Sequence, residues 1–532
     1  VSYEPYNWPG FGAGLNLRKV SDGSGQSAID CMNVTFTAEG GVRSRHGYTQ
    51  FAAGSSGTSY GQIAGYQRSR GTAMRHVLAS QGTAVRAYNN DGTLLASYTA
   101  GTNADWQFCR WGSPAGEYLV ATNGVDSPIF WDGPTGGGGS GFQAITAMAG
   151  YTAPTAPLGK HIAAFQNRLA VARLPGSAAG NCESTVRFSS NGNPWEWLSS
   201  YYADIRPGDG DEITALESYA DQLFVFKRNS VHVIYNVGAT STGSAQIDQR
   251  LIVQGVGAVG PNAVTTGPGG VYFVHDTGVY VTRGGEPELI SAPIDPIFKG
   301  NPPLEWKGGV LTAAYVHKIA AQWHDNELRI SIPVDGSSTN TRTLSHHTDY
   351  GWWTISNLKY RAIGTAPVGQ AGRLQLVAAL DDSANPKLVL ESKTATTDAG
   401  VLIASRWRSD STDFGLSRRK TIGGMRAWGE GKVFSAVGTD YTNPKLPRLL
   451  DFDSSADTWG SGGADTWGGG TNAADEWSGG NNIQMRYVRA AHRGTNITLQ
   501  LRDAGSTSGW AVYKAVLHMR AVTPTGTETR DE

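Results

Sequence analysis

Cysteine is nearly absent: Cys31, Cys109 and Cys182 are the three among 532 residues, an odd number, widely spaced and without a C-x-x-C. That excludes a disulfide-stapled scaffold and predicts three free thiols, in keeping with assembly in a reducing cytosol. Charge is also scarce. Only 17% of residues are Asp, Glu, Lys or Arg, the formal net charge is −1, and there is no block of five or more like charges. Nothing global therefore draws the chain toward nucleic acid or an acidic membrane, and any contact with DNA has to be local. No apolar run approaches the roughly 18 residues of a membrane helix, so no membrane span is expected. Val1 to Trp8 lacks the basic and then apolar pattern of a signal peptide. Long amphipathic helices are missing throughout. The sequons at Asn33 and Asn496 have no secretory context and are read as chance matches.

What is abundant points one way. Glycine, at 70 of 532 residues, is well above the usual share of about 7%, and Trp and Tyr are plentiful, a mix suited to short strands and tight turns. Gln222 to Tyr235 reads QLFVFKRNSVHVIY, two apolar runs about a polar turn, and Gly270 to Thr282 repeats that grammar around His275-Asp276-Thr277-Gly278. Upstream, Gln62 to Tyr66, His76 to Ala79, Ala84 to Tyr88 and Leu94 to Tyr98 make four short strands within about 40 residues, the size of a propeller blade. Further strand candidates follow at Tyr118 to Ala121, Ile129 to Trp131, His161 to Phe165, Leu169 to Ala172, Thr185 to Ser189, Ala320 to Ile332 and Leu374 to Leu390. The fold class is all-β: a propeller of about six to eight blades over residues 1–392, including an N-terminal strand segment, with a row of β-sandwiches as the alternative.

After Ser392 the texture changes. Arg406, Arg408, Arg418, Arg419 and Lys420 lead into a glycine-rich stretch. There Asp457-Thr458-Trp459-Gly460, Asp465-Thr466-Trp467-Gly468 and Asp475-Glu476-Trp477-Ser478 follow one another. Strands Gln484 to Val488, Ile497 to Leu501 and Trp510 to Leu517 come after this insert. Residues 393–532 are thus predicted to form a small C-terminal β-sandwich with one long decorated loop and a polar tail. Trp459, Trp467, Trp477, Arg418, Arg419 and Lys420 are candidates for interface or receptor contact. Tryptophan and arginine are enriched at interface cores, and aromatic faces also stack on sugars. The plainer reading makes the tryptophans anchors beneath glycine-rich turns.

Motifs for chemistry are thin. Gly255-Val256-Gly257-Ala258-Val259-Gly260 has dinucleotide-fingerprint spacing, but Pro261 and a strand follow where the fingerprint needs a helix, so a glycine-rich turn is expected. Gly57-Thr58-Ser59-Tyr60-Gly61 has nucleophile-elbow spacing without the flanking strand and helix. Asp209, Asp211 and Glu212 offer oxygen ligands to a hard cation but lack EF-hand spacing, so a solvated acidic turn is the simpler reading. His346 and His347 are adjacent on a strand, so they point to opposite faces and do not chelate one ion with Asp349. No cofactor and no catalytic residue are expected.

Several phrases in order resemble the β-propeller tail proteins of tailed bacteriophages, which go by nozzle, hub, stabilisation or minor tail protein. They are Phe11-Gly12-Ala13-Gly14-Leu15-Asn16-Leu17, NVTFTAEGGVRSRHGY, VRFSSNGNPWEW, DIRPGDGDEITAL, DQLFVFKRNSVHVIY, VGAVGPNAV and GVYFVHDTGVYV. They run from about residue 8 to 300. The resemblance implies a non-enzymatic virion structural protein located in the tail and assembled in the host cytoplasm. It would form a homo-oligomeric ring around or near the DNA channel, dock neighbouring tail proteins, and let viral DNA pass without sequence-specific binding. The alternative is a tail-tip or minor tail protein that binds host-surface glycan or, as a depolymerase, cleaves it.

Overall fold

The computed structural model describes residues 3–18, 26–55, 57–69, 73–101, 105–113, 116–134, 141–147, 151, 157–174, 182–239, 245–303, 306–369, 373–382, 384–440, 447–452 and 484–522. Among these, four-stranded antiparallel meanders follow one another around a ring. Blade 1 is Tyr60–Arg68, Met74–Gln81, Ala84–Asn89 and Leu94–Thr99. Blade 2 begins at Gln107–Ser113, blade 3 at His161–Phe165, blade 4 at Ile213–Tyr219 and blade 5 at Val264–Gly267, each strand innermost in its own four-stranded sheet. A sixth meander, Ala320–His324 to Trp353–Ser356, occupies the next place but continues beyond its outer strand into other sheets. Blade 7 takes Tyr360–Val368, Arg373–Leu380 and Lys387–Glu391 from late in the chain and its outer strand, Tyr48–Ala53, from early in it. The expected propeller of about six to eight blades is the observed fold.

Blade strands are buried on both faces because each sheet is sandwiched between two others. Gln222–Lys227 is buried at five of its six positions, which is why it reads as a continuous apolar run rather than as an alternation. Each gap between blades has its own core: Trp111, Phe130, Ile162 and Trp195 between blades 2 and 3, and Phe224, Phe226, Val271 and Phe273 between blades 4 and 5. The ring closes between blades 7 and 1. There a Cβ on Gly65 would lie 2.5 Å from Ala366 Cα, and one on Gly364 would lie 2.6 Å from Ile63 O. Two inner strands pass that closely only where the residue on one side of each contact has no side chain.

The other unit is built from both ends of the chain. Its axis is Lys420–Thr439, a strand whose first half pairs with Gln484–Gly494 and Trp510–Ala521 and whose second half pairs with Arg448–Asp451 and Ile497–Asp503. The change of partners falls at Gly431, where φ is +72° and a Cβ would sit 2.1 Å from Gly509 O. The strand bends there and passes from one sheet to the other. The N-terminal strand segment, expected with the propeller, belongs here instead. Glu4–Asn7 pairs with Trp510–Ala521, Ala28–Met32 lies between Trp353–Ser356 and Arg406–Ser409, and Val42–Ser44 adds to the Trp510 strand. Residues 3–44 therefore share sheets with residues 406–521, and the division at 392/393 is corrected accordingly. Its core, with Phe11, Trp407, Met425, Leu499 and Leu517 fully buried, is continuous with that between blades 5 and 6.

Arg45 ties this unit to the ring. Its Nη1 and Nη2 donate to both oxygens of Asp398 at 2.8 and 2.5 Å, and its Nε donates to Asn33 Oδ1 at 3.1 Å. Both side chains of the ion pair are largely buried. No helix among the described residues is long and apolar enough to cross a membrane.

Candidate functional sites: the axial cavity and the outer sheet face

Closing the ring brings the innermost strands of all seven blades around one cavity of about 180 Å3. Gln62 comes from blade 1, Gln107 from blade 2, His161 from blade 3, Glu217 from blade 4, Asn262 and Thr265 from blade 5, Gln322 from blade 6 and Ile363 from blade 7. Much of its polar lining is already paired. Gln62 Nε2 donates to Gln107 Oε1 at 3.2 Å, Gln322 Nε2 to the Trp323 carbonyl at 3.0 Å, and Thr265 Oγ1 accepts from the Trp323 amide at 3.2 Å. Glu217 is the one charged residue of the lining. With no cation beside it among the described residues, burial pushes its carboxyl up to about 8. His161 is 2% exposed. Its Nε2 lies 3.1 Å from the Ile213 carbonyl, and burial pushes its pKa down to about 3.

The second site is the outer face of the terminal unit. Opposed residues of neighbouring strands point to the same side, and three rungs follow from the register: Leu449–Phe434–Arg502, Met485–Trp428–Lys514 and Tyr487–Arg426–Val516. Leu449, Met485 and Tyr487 are each about half exposed. The Arg502 guanidinium lies 5.5 Å from the Phe434 ring centroid, the Lys514 ammonium lies 5.3 Å from that of Trp428, and Tyr487 meets His518 edge-on. Aromatic rings, methionine and arginine interleaved on an exposed sheet are the composition of an interface core.

The residues singled out from the sequence disperse. Trp459, Trp467 and Trp477 lie outside the described residues. Arg418 and Arg419 are exposed beside the long strand. Lys420 is withdrawn from the surface set: it is fully buried, and its ammonium donates to the carbonyls of Leu416, Arg418 at 3.1 Å and Thr495 at 2.7 Å. Its charge serves to hold backbone together.

The acidic turn also separates into individual pairs. Asp209 accepts two hydrogen bonds, at 2.7 and 2.8 Å, from the fully buried Lys227, and Asp211 accepts from the Arg228 and Asn229 amides at 3.1 and 2.8 Å. Glu212 pairs with Arg173. Burial alone would raise Asp209, but the Lys227 ammonium holds its carboxyl below the usual range. The three carboxylates thus brace blade 4 individually, and no cluster of three or more His, Cys, Asp or Glu suited to a metal occurs among the described residues.

The remaining motifs are structural. The glycine-rich segment ending at Gly260 leads into a one-turn 3-10 helix, Pro261–Ala263, and then a blade strand, not a dinucleotide helix. Ser59 precedes a strand. His346 stacks on Trp353 at 4.5 Å, whereas His347 meets Tyr350 and Trp352, as opposite faces require. Cys31 and Cys109 are free thiols, and the Cys182 side chain lies outside those described.

No family model and no curated protein matches the chain. Among solved structures it is similar to BBS1N, determined in complex with ARL6DN and soaked with lead, at 10% identity and a TM-score of 0.38, over 66% of this chain and 99% of that one. It is also similar to PorZ, an essential bacterial surface component of the type-IX secretion system of Porphyromonas gingivalis, at 12% identity and a TM-score of 0.33, over 67% of this chain and 39% of that one. Both are propeller proteins. The propeller assignment rests on the ring of blades itself.

Proposed function

We propose that this chain is a structural component of a bacteriophage tail, a nozzle, hub or adaptor, and that it docks a neighbouring tail protein through the three-rung face of its terminal unit. The sequence phrases resembling tail propellers supply the setting. The observation that supports docking is the exposed ladder of Leu449, Met485 and Tyr487 backed by Phe434 and Trp428 and edged by Arg426, Arg502 and Lys514. In this reading several copies form a ring through head-to-tail contacts. DNA passes through the middle of that ring and not along the propeller axis, where side chains leave only about 180 Å3.

The test is a triple variant, Leu449→Ser with Met485→Ser and Tyr487→Ser, whose sites are half exposed and tolerate a polar side chain. It is expected to stay a folded monomer with an unchanged melting curve and to be missing from particles when it complements a phage lacking the gene. Normal incorporation of the triple variant would remove this face from the assembly. If the wild-type chain instead binds a host polysaccharide, and particles assemble without it, the receptor-binding alternative replaces the tail-structure reading.

A further inference from the structure

Given docking through the outer face of the terminal unit, on which this rests, we propose that the partner presents an acidic protein surface ringing an apolar centre. Charge then selects the partner and apolar burial holds it. The part of the chain that builds the face, residues 418–440, 447–452 and 484–522, carries twelve Lys or Arg against four Asp or Glu, in a chain whose formal net charge is −1. The excess points outward. In the register Arg493 and Arg520 stand opposite Thr421, Arg489 opposite Gly424, Arg426 opposite Tyr487, Lys514 opposite Trp428 and Arg502 opposite Phe434. Arg520 is half-buried and the other five cations are exposed. None of the six forms an ion pair with a described residue. Of the carboxylates nearest them in the register, Asp451 pairs with Lys432 at 3.1 Å and Glu430 accepts from the Tyr513 hydroxyl at 3.1 Å. Around the half-exposed Leu449, Met485 and Tyr487 there is thus a rim of positive charge with no internal answer.

The side chains separate the kinds of partner that suit a basic face. Single-stranded nucleic acid needs bare aromatic faces on which its bases stack. Here Lys514 stands over Trp428, Arg502 over Phe434 and Arg520 over Tyr3 at 5.6 Å from the ring centroid, so of these four rings only Tyr487 has no cation above it. A sugar-phosphate chain also leaves Leu449 and Met485 uncovered. A second copy docked through the same face sets cation against cation, which repels. An acidic protein surface meets both demands: its carboxylates take guanidinium groups in paired hydrogen bonds, and its aliphatic side chains cover the apolar centre.

Size agrees with a protein partner. From Thr421 to Phe434 the strand runs about 40 Å, and four strands about 4.8 Å apart give a face of roughly 600 Å2, near the about 800 Å2 that each side gives to a standard interface. Rim charges of this kind speed encounter, reject basic partners and make docking weaken with salt. Residues 453–483, which join Arg448–Asp451 to Gln484–Gly494, carry five Asp or Glu and no Lys or Arg. That stretch is the competing occupant.

The experiment is titration of the immobilised full chain with a glutamate–tyrosine copolymer, polyglutamate, polylysine and oligothymidylate. The copolymer is expected to bind about tenfold tighter than polyglutamate or oligothymidylate, and about tenfold more weakly when salt rises from about 50 mM to about 300 mM, while polylysine does not bind. Arg426→Gln with Arg489→Gln and Lys514→Gln, at exposed sites, is expected to keep the wild-type melting curve and lose about tenfold in copolymer affinity. Should it melt early, Arg493→Gln with Arg502→Gln takes its place. Leu449→Ser with Met485→Ser and Tyr487→Ser is expected to keep the salt dependence and lose the preference for the copolymer over polyglutamate. The proposal is overturned if the copolymer fails to bind up to about 100 µM, well above the range of specific interfaces, or if the glutamine variant binds it as tightly as wild type. It is also overturned if oligothymidylate binds tighter than the copolymer, or if the copolymer binds only a chain lacking residues 453–483, which makes that stretch the occupant. Incorporation into particles is read separately: a glutamine variant that loses the copolymer yet enters particles normally removes the tail reading and leaves the acidic partner standing.

Discussion

The propeller and the terminal unit are both all-β, yet they are assembled on opposite principles. Each of the first five blades is a local meander whose strands follow one another within a short stretch of chain. The terminal unit joins residues 4–44 to residues 406–521, with Asp30 paired opposite Arg408 and Glu4 opposite Met519. Local hairpins form cheaply and leave a local signature, whereas pairing across hundreds of residues has to overcome loop closure and leaves none. One region can be read along the chain. The other becomes visible only once the ends have met.

The largest expected effect comes from separating them. A chain ending at residue 392 removes the partners of Glu4–Asn7, Ala28–Met32 and Val42–Ser44 and uncovers a core that blades 5 and 6 share. It is expected to aggregate on expression, by light scattering, where the full chain is soluble. A monodisperse truncated chain that unfolds cooperatively would show the two regions to be independent after all.

Next is the clasp between them. Arg45→Ala leaves Asp398 largely buried without its cation, and a loss of about 3–5 kcal/mol in chemical denaturation is expected. Arg173→Ala, within the ring and more exposed, is expected to cost about 0.5 kcal/mol or less through Glu212. Equal effects would deny the clasp its special place.

A pH titration sharpens the contrast further. Burial holds His161 at about 3 and His76, His232 and His346 at about 4, all of them in the blades. The folded state therefore keeps these rings neutral, while the unfolded chain protonates them near 6.5. Between about 6.5 and 4 the unfolded state binds more protons, so stability is present above that window and is lost as pH falls through it. Melting temperature should drop steadily from pH 7 to pH 4.5. A flat profile would mean the blade histidines are not held neutral.

The smallest effect concerns the thiols. Cys31 is fully buried in the terminal unit and Cys109 is half-buried in blade 2, and burial raises the pKa of both. Native protein at pH 7.5 should alkylate Cys109 slowly and Cys31 more slowly still, with both labelled in denaturant without a reductant. A disulfide involving either, seen by mass spectrometry, would contradict this.

Legibility followed the same divide. Gln222 to Tyr235 was readable because apolar runs flank a polar turn, and the structure pairs Leu223 with Ile234 and Phe226 with Val231 as that pattern requires. Lys420–Thr439, the axis of the terminal unit, escaped notice. Its inward positions include Gly424, Gly429 and Gly431, which interrupt the apolar alternation, and all of its partners lie farther along the chain. Gln107–Ser113 was missed for a related reason, since QFCRWGS mixes cavity-facing and core-facing side chains. Glu217 gives no sign in Glu217-Ser218-Tyr219 that it faces an enclosed axis, because only ring closure puts it there. Conversely, Asp209, Asp211 and Glu212 read as a solvated acidic turn, with a cation site as the other option, because the partners Lys227 and Arg173 are contributed by other strands and loops.

The outer strand of blade 7, Tyr48–Ala53, is synthesised before any blade and is used only after Glu391 has emerged, so a growing chain can close the ring only after every other blade has been made. The same strand is followed backwards, through Arg45, directly by the terminal unit. A pull on that unit is therefore divided, one share passing through the Arg45–Asp398 clasp to the strand that keeps the ring shut and another through Ala28–Met32 to the outer strand of blade 6. In mechanical terms, load applied at the chain ends reaches the seam of blade 7 between residues 48–53 and 387–391, together with blades 5 and 6, before it reaches blades 1 to 4.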